Sequence, residues 1–122
     1  MVPILRRALL CLAFEHLPHH SVVDVGCGWG EWLWAARELG AERILGIDGD
    51  YIPRRNLMIR DFVPLDLSQP FSLADRFDLA LSMEVAEHLP ESSADQFVAS
   101  LTALAPTWSF QLRFLDKPAK VM

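Results

Sequence analysis

An α/β protein with a doubly wound, mostly parallel sheet is expected from three observations: short β-branched runs alternate with helix-length segments, a glycine-rich turn closes the first run, and the apolar content suits one core. The chain has 122 residues, room for a single domain at the usual ~100–200 residues each. Hydrophobic residues make up 52% and charged residues 22%, a balance that disfavours disorder. Eleven Lys and Arg against sixteen Asp and Glu give a net charge of −5, the wrong sign for general affinity to a nucleic-acid backbone. Cys11 and Cys27 are too few for a disulfide framework or a four-thiolate zinc site, and they suit a reducing cytoplasm. The apolar run Ala8 to Phe14 is short for a signal peptide and ends at Glu15. Nothing approaches the ~20 apolar residues of a membrane span, so a soluble cytoplasmic protein without a membrane partner is expected.

Pro3 suits a first helical position, and Ile4, Leu5, Ala8, Leu9, Leu12 and Ala13 recur at helical spacing until Pro18. Val22 to Val25 is a β-branched run cut off by Gly26, and residues 31–39 favour helix until Gly40 stops it. Ile44 to Ile47 forms a second strand, parallel to the first if the crossover is right-handed. Residues 51–58 hold a weak helical turn. Phe62 to Leu65 reads as a third strand, at a sheet edge because Pro64 has no N–H to donate. Phe77 to Ser82 is a continuous apolar strand, followed by a short helix from Met83 to His88. Ser93 and Gln96 match a capping box ahead of a helix with Phe97, Val98, Leu101 and Leu104 on one face. The expected strand order is 3-2-1-4.

The loop Asp24-Val25-Gly26-Cys27-Gly28-Trp29-Gly30-Glu31 lies at the carboxyl end of the first strand, where open parallel sheets bind ligands. Glycines there let a ligand approach the backbone, and the free amides opening the next helix favour an anionic group. Asp48 ends the second strand close to the ~20 residues beyond the glycines at which a ribose-binding acid is expected. A dinucleotide fingerprint requires a small residue where Glu31 stands, so NAD-dependent oxidoreduction fits less well. Trp29, Trp32 and Trp34 offer a stacking face, although core and loop packing is the expectation for at least two of them. His16, His19 and His20 flank Pro18 and read as surface residues.

The D-x-G-x-G-x-G form resembles motif I of the class I S-adenosylmethionine-dependent methyltransferases, whose fold is Rossmann-like. The resemblance runs from about Val22 to Pro106 and includes Ile44 to Asp48, a motif-II-like Leu65-Asp66-Leu67, and Phe77 to Ser82. It implies S-adenosyl-L-methionine as cofactor. Asp24 and the loop Gly26, Cys27, Gly28 and Gly30 would hold the methionine end, Asp48 with Gly49 would bind the ribose, and Asp66 with Leu67 would sit by the adenine. A turn residue is nearly as good a reading of Asp66.

Offsets of three and four put Glu84, Glu87 and His88 on one helical face at the ligand end of the sheet. Two carboxylates and an imidazole suit a divalent metal, magnesium or manganese. The E-x-x-E-H order is similar to the metal-binding segment of the ubiquinone-pathway O-methyltransferases and the small-RNA 2′-O-methyltransferases. The plainer reading has His88 packing against the sheet, with the glutamates solvated. An oxygen acceptor would need deprotonation, for which a metal or His88 is the only evident candidate, and this makes His88 the candidate catalytic residue. A small-molecule methyl acceptor is expected, with an RNA 3′ end as the lesser alternative.

The family's sheet has seven strands, and this chain has recognisable material for four, so a single partial domain over residues 1–122 with doubtful turnover is expected. The tail from Thr107 to Met122 departs from a buried fifth strand, though Trp108, Phe110, Leu112 and Phe114 alternate with polar residues. It reads either as an imperfect strand along the edge of strand four, which invites self-association, or as the product of a reading-frame shift near Pro106. One choice of codons for the tail, read from a base earlier, spells DLVLSAPLSGQAGKGH, a strand and glycine-bearing loop. A deliberately short protein or a domain fragment is the alternative to a shifted frame. The rival function from another class is a noncatalytic nucleoside-binding or interaction domain.

Overall fold

The structure is a computed structural model that describes residues 4–82, Val85 and residues 89–110. Its elements run α1 (Ile4–His16), β1 (Ser21–Val25), α2 (Glu31–Glu38), β2 (Arg43–Asp48), a 3-10 turn (Arg54–Asn56), β3 (Phe62–Pro64), β4 (Leu79–Ser82), a second 3-10 turn (Glu91–Ser93), α3 (Ala94–Leu104) and β5 (Thr107–Phe110). The strands form one sheet in the order β3-β2-β1-β4-β5, every pair parallel. The 3-2-1-4 order is as expected, and Pro64 stands on the edge strand, where a missing donor costs nothing.

Alternate strand residues feed opposite faces, as the pleat requires. Val22, Ile44, Leu79 and Leu81 pack with Leu10 of α1 and Leu33, Ala35 and Ala36 of α2 on one face. Val23, Val25, Ile47 and Ala80 pack with Phe97, Leu101 and Leu104 of α3 on the other. Burial on both faces explains why the strands read as apolar runs rather than as alternating ones. The β1–β4 junction is fixed at its amino end by Asp78, whose carboxylate accepts from His20 N at 2.9 Å and Ser21 N at 3.3 Å. Asp78 N in turn donates to Ser21 Oγ at 2.9 Å.

A fifth strand joins the expected four within the described residues: Thr107–Phe110 pairs in parallel register with Leu79–Ser82, along the edge of β4 where one reading of the tail places it. Three expectations are corrected. β4 begins at Leu79 rather than Phe77, because Phe77 N donates to Leu104 O and Asp78 N turns to Ser21. The capping box does not form. Ser93 closes a 3-10 turn that runs straight into α3, its backbone is already helix-like at φ −94° and ψ −6°, and its hydroxyl accepts no hydrogen bond from the helix but donates to Ser68 O at 3.5 Å. Of Trp29, Trp32 and Trp34, only Trp32 packs against the core, while the other two are exposed.

His16 and His20 are exposed, as expected, with His20 beside Glu42. His19 is instead stacked on Phe14, ring centroids 4.0 Å apart. No helix among the described residues is long and apolar enough to cross a membrane.

Candidate functional site

A cleft of about 830 Å³ opens at the carboxyl ends of β1, β2 and β3. The loop after β1 forms its floor. Gly26 N and Cys27 N both donate to Ile47 O, at 2.6 and 3.1 Å, so the loop is tied to β2. Gly26, Gly28 and Gly30 have φ of 86°, 57° and 92°, in the left-handed region that favours glycine. Two of these glycines also answer a space requirement. A Cβ on Gly26 would collide with Val85, and one on Gly30 would press into Ile59. At Gly28, nothing lies within 4 Å of that position, so the backbone is open to the cleft.

Asp48, at the end of β2, is 6% exposed and holds the cleft together. Its Oδ2 accepts from Gly28 N at 2.8 Å, and its Oδ1 accepts from Gly49 N at 2.7 Å and from the Tyr51 hydroxyl at 2.8 Å. The Tyr51 phenol is held above its ordinary pKa, first by donating to the Asp48 carboxylate and then by desolvation and the Asp48 charge. The Tyr51 ring lies over Gly49, where a Cβ would strike it. Asp66, after β3, forms a tight turn in which Oδ1 accepts from Ser68 N at 3.0 Å and Ser68 Oγ at 2.6 Å. Those bonds, the hydroxyl's foremost, keep its carboxyl below the usual range.

Of the residues nominated from sequence, Gly26, Cys27, Gly28, Asp48, Gly49, Asp66 and Leu67 line this one cleft. Asp24 does not. It is fully buried in β1, on the face of Val22, beneath the loop. Gly30 is turned toward Ile59 and opens α2 behind the lining. Burial pushes the Cys27 thiol well up and the charges of Asp24 and Asp48 push it further, which disfavours the thiolate. Glu84, Glu87 and His88 lie outside the described residues, and among the described residues no cluster suited to a metal ion occurs. Sequence reasoning offered Trp32 only as one of three stacking tryptophans and missed Glu31, Asp50, Tyr51, Ser68, Val85 and Leu89 as lining residues. A hydroxyl-bearing aromatic three places after the acid was the one available signal for Tyr51.

Known proteins resemble this chain in sequence and in fold. A family model described as a methyltransferase domain matches residues 3–107. The ribosomal protein L11 methyltransferase of Geotalea uraniireducens is 39% identical over 82 residues, which are 62% of this chain and 26% of that protein. The tRNA U34 carboxymethyltransferase of Idiomarina loihiensis is 34% identical over 91 residues, 74% of this chain and 26% of that one. Among solved structures, magnesium protoporphyrin IX methyltransferase from Synechocystis PCC 6803 with bound SAM superposes with TM-score 0.62 at 25% identity, covering 81% of this chain and 50% of that one. The chain thus spans about a quarter of the length of these curated relatives and half of that solved chain. With the glycine loop, the strand order and the β2 acid all in place, the match over most of its length makes this chain a member of the methyltransferase-domain family.

Proposed function

We propose that the cleft binds S-adenosylmethionine and that the protein transfers its methyl group to an acceptor. The observation that carries this reading is charge. Glu31, Asp48, Asp50 and Asp66 line the cleft, and no lysine or arginine does among the described residues. A nucleoside sulfonium with an amino-acid tail has two positive centres against one carboxylate and suits such walls, whereas the pyrophosphate of a dinucleotide would be repelled. The volume falls within the about 300–1,000 Å³ of small-ligand sites.

Each part of the ligand has a counterpart in the chain. The Asp48 carboxylate accepts from ribose hydroxyls, and Leu65, Leu67 and Leu89 supply apolar walls for the base. The open backbone at Gly28 and the first amides of α2 receive the amino-acid tail. When bound, S-adenosylmethionine supplies a methyl group already activated by its positively charged sulfur. The work left to the protein is positioning: the loop and Asp48 fix the ligand at both ends, so an acceptor entering in line meets the methyl group at high effective concentration. A net charge of −5 and the acidic cleft favour a small-molecule acceptor over RNA.

Calorimetry with S-adenosylhomocysteine tests the reading. Binding heat is expected with the whole chain, and Asp48→Ala is expected to weaken affinity at least about tenfold, the scale of losing hydrogen bonds to a charged group. Absence of heat with folded protein would favour a noncatalytic domain, and unchanged affinity in Asp48→Ala would remove the proposal.

A further inference from the structure

We propose that Tyr51 is a side-chain latch on Asp48, which a ribose must displace before both of its hydroxyls can bind; the inference rests on the nucleoside reading of the cleft. A carboxylate offers about four acceptor positions. In this structure Asp48 already accepts three hydrogen bonds, from Gly28 N, Gly49 N and the Tyr51 hydroxyl. One position is left, and a vicinal diol needs two. Gly28 N and Gly49 N belong to the backbone, the first in a loop anchored by Gly26 N and Cys27 N to Ile47 O. Gly28 N cannot leave without dismantling the floor of the cleft, and Gly49 N, the next amide along the chain, does not depend on where the Tyr51 ring lies.

Tyr51 can leave by a change of rotamer. It is 77% exposed, although its hydroxyl reaches a nearly buried carboxylate. Its ring passes over Gly49, where the missing side chain makes room for it. The latch keeps Asp48 satisfied in the free protein, and it makes the binding-competent state a fraction of the population. Apparent affinity for a diol is then reduced by that fraction. A ligand with one ribose hydroxyl needs only the position already open, so the latch costs it nothing. Tyr51 therefore narrows the discrimination between ribo- and deoxyribonucleosides that Asp48 would otherwise give.

The test compares Tyr51→Phe with the unaltered chain, using S-adenosylhomocysteine and its 2′-deoxy analogue as calorimetric probes. Tyr51→Phe should bind S-adenosylhomocysteine about three- to tenfold more tightly, the range set by one released hydrogen bond, and the deoxy analogue with unchanged affinity. Binding by Tyr51→Phe alone would support the latch still more strongly. If both proteins bind and Tyr51→Phe is equal or weaker toward S-adenosylhomocysteine, or tightens equally toward both probes, the latch is overturned while the cofactor reading stands. If neither folded protein binds, both fall together.

Discussion

Tyr51 is the chain's one tyrosine, so its ionisation can be followed without interference from another phenol. The hydrogen bond to Asp48 raises its pKa. The interaction is fully present below the ordinary phenol value of ~10 and is lost as pH rises through the raised native value. The phenolate absorbance should therefore appear at higher pH than in the unfolded chain, and Asp48→Asn should bring it down. A titration that does not respond to Asp48→Asn would mean that the two side chains are not bonded in solution. Gly49→Ala should act in the same direction by pushing the ring off the carboxylate. Cys27 shows the opposite lesson at this scale. Its place in the ligand loop gives no reactive thiol, because burial first and then the Asp24 and Asp48 charges disfavour the thiolate.

The element that makes the site is the β1–α2 loop, and its three glycines are not equivalent. Alanine at Gly26 or Gly30 combines left-handed strain of about 1–2 kcal/mol with overpacking against Val85 or Ile59 worth about 1–3 kcal/mol. At Gly28, with φ 57° and no neighbour to strike, only the strain remains. Gly26→Ala and Gly30→Ala should thus lower the thermal midpoint clearly more than Gly28→Ala, which should instead weaken S-adenosylhomocysteine binding. Equal midpoints across the series would contradict this ranking. The loop was legible in the sequence because glycine spacing and a following acid are local signals. The third strand's edge position was legible too, from one proline. The capping box misled because Ser93 fits the pattern while a preceding 3-10 turn gives it helix-like backbone angles, which take its hydroxyl out of the capping position. Tyr51 was not legible as a partner of Asp48, since no periodicity encodes a ring folded back over Gly49. Nor does the helical spacing around Trp34 say which flank of α2 is left uncovered.

For the whole molecule, ligand and fold are one equilibrium. A ligand that binds only the native state at 100 times its Kd adds about 2.7 kcal/mol of stability. S-adenosylhomocysteine at that excess should raise the unfolding midpoint by several degrees, and NAD at the same concentration should leave it unchanged. Equal stabilisation by NAD would defeat the argument from the acidic walls. The two ends of the sheet also differ in kind. On the β3 side the outermost strand is three residues long and finishes in a proline, so it makes a poor template for another backbone. The β5 side carries no imide in its described span. Any further strand, whether from the same polypeptide or from a neighbour, should enlist there, beyond β5, itself three strands from Asp48 on β2. Growth of the sheet and access to the cleft are thereby kept on separate flanks.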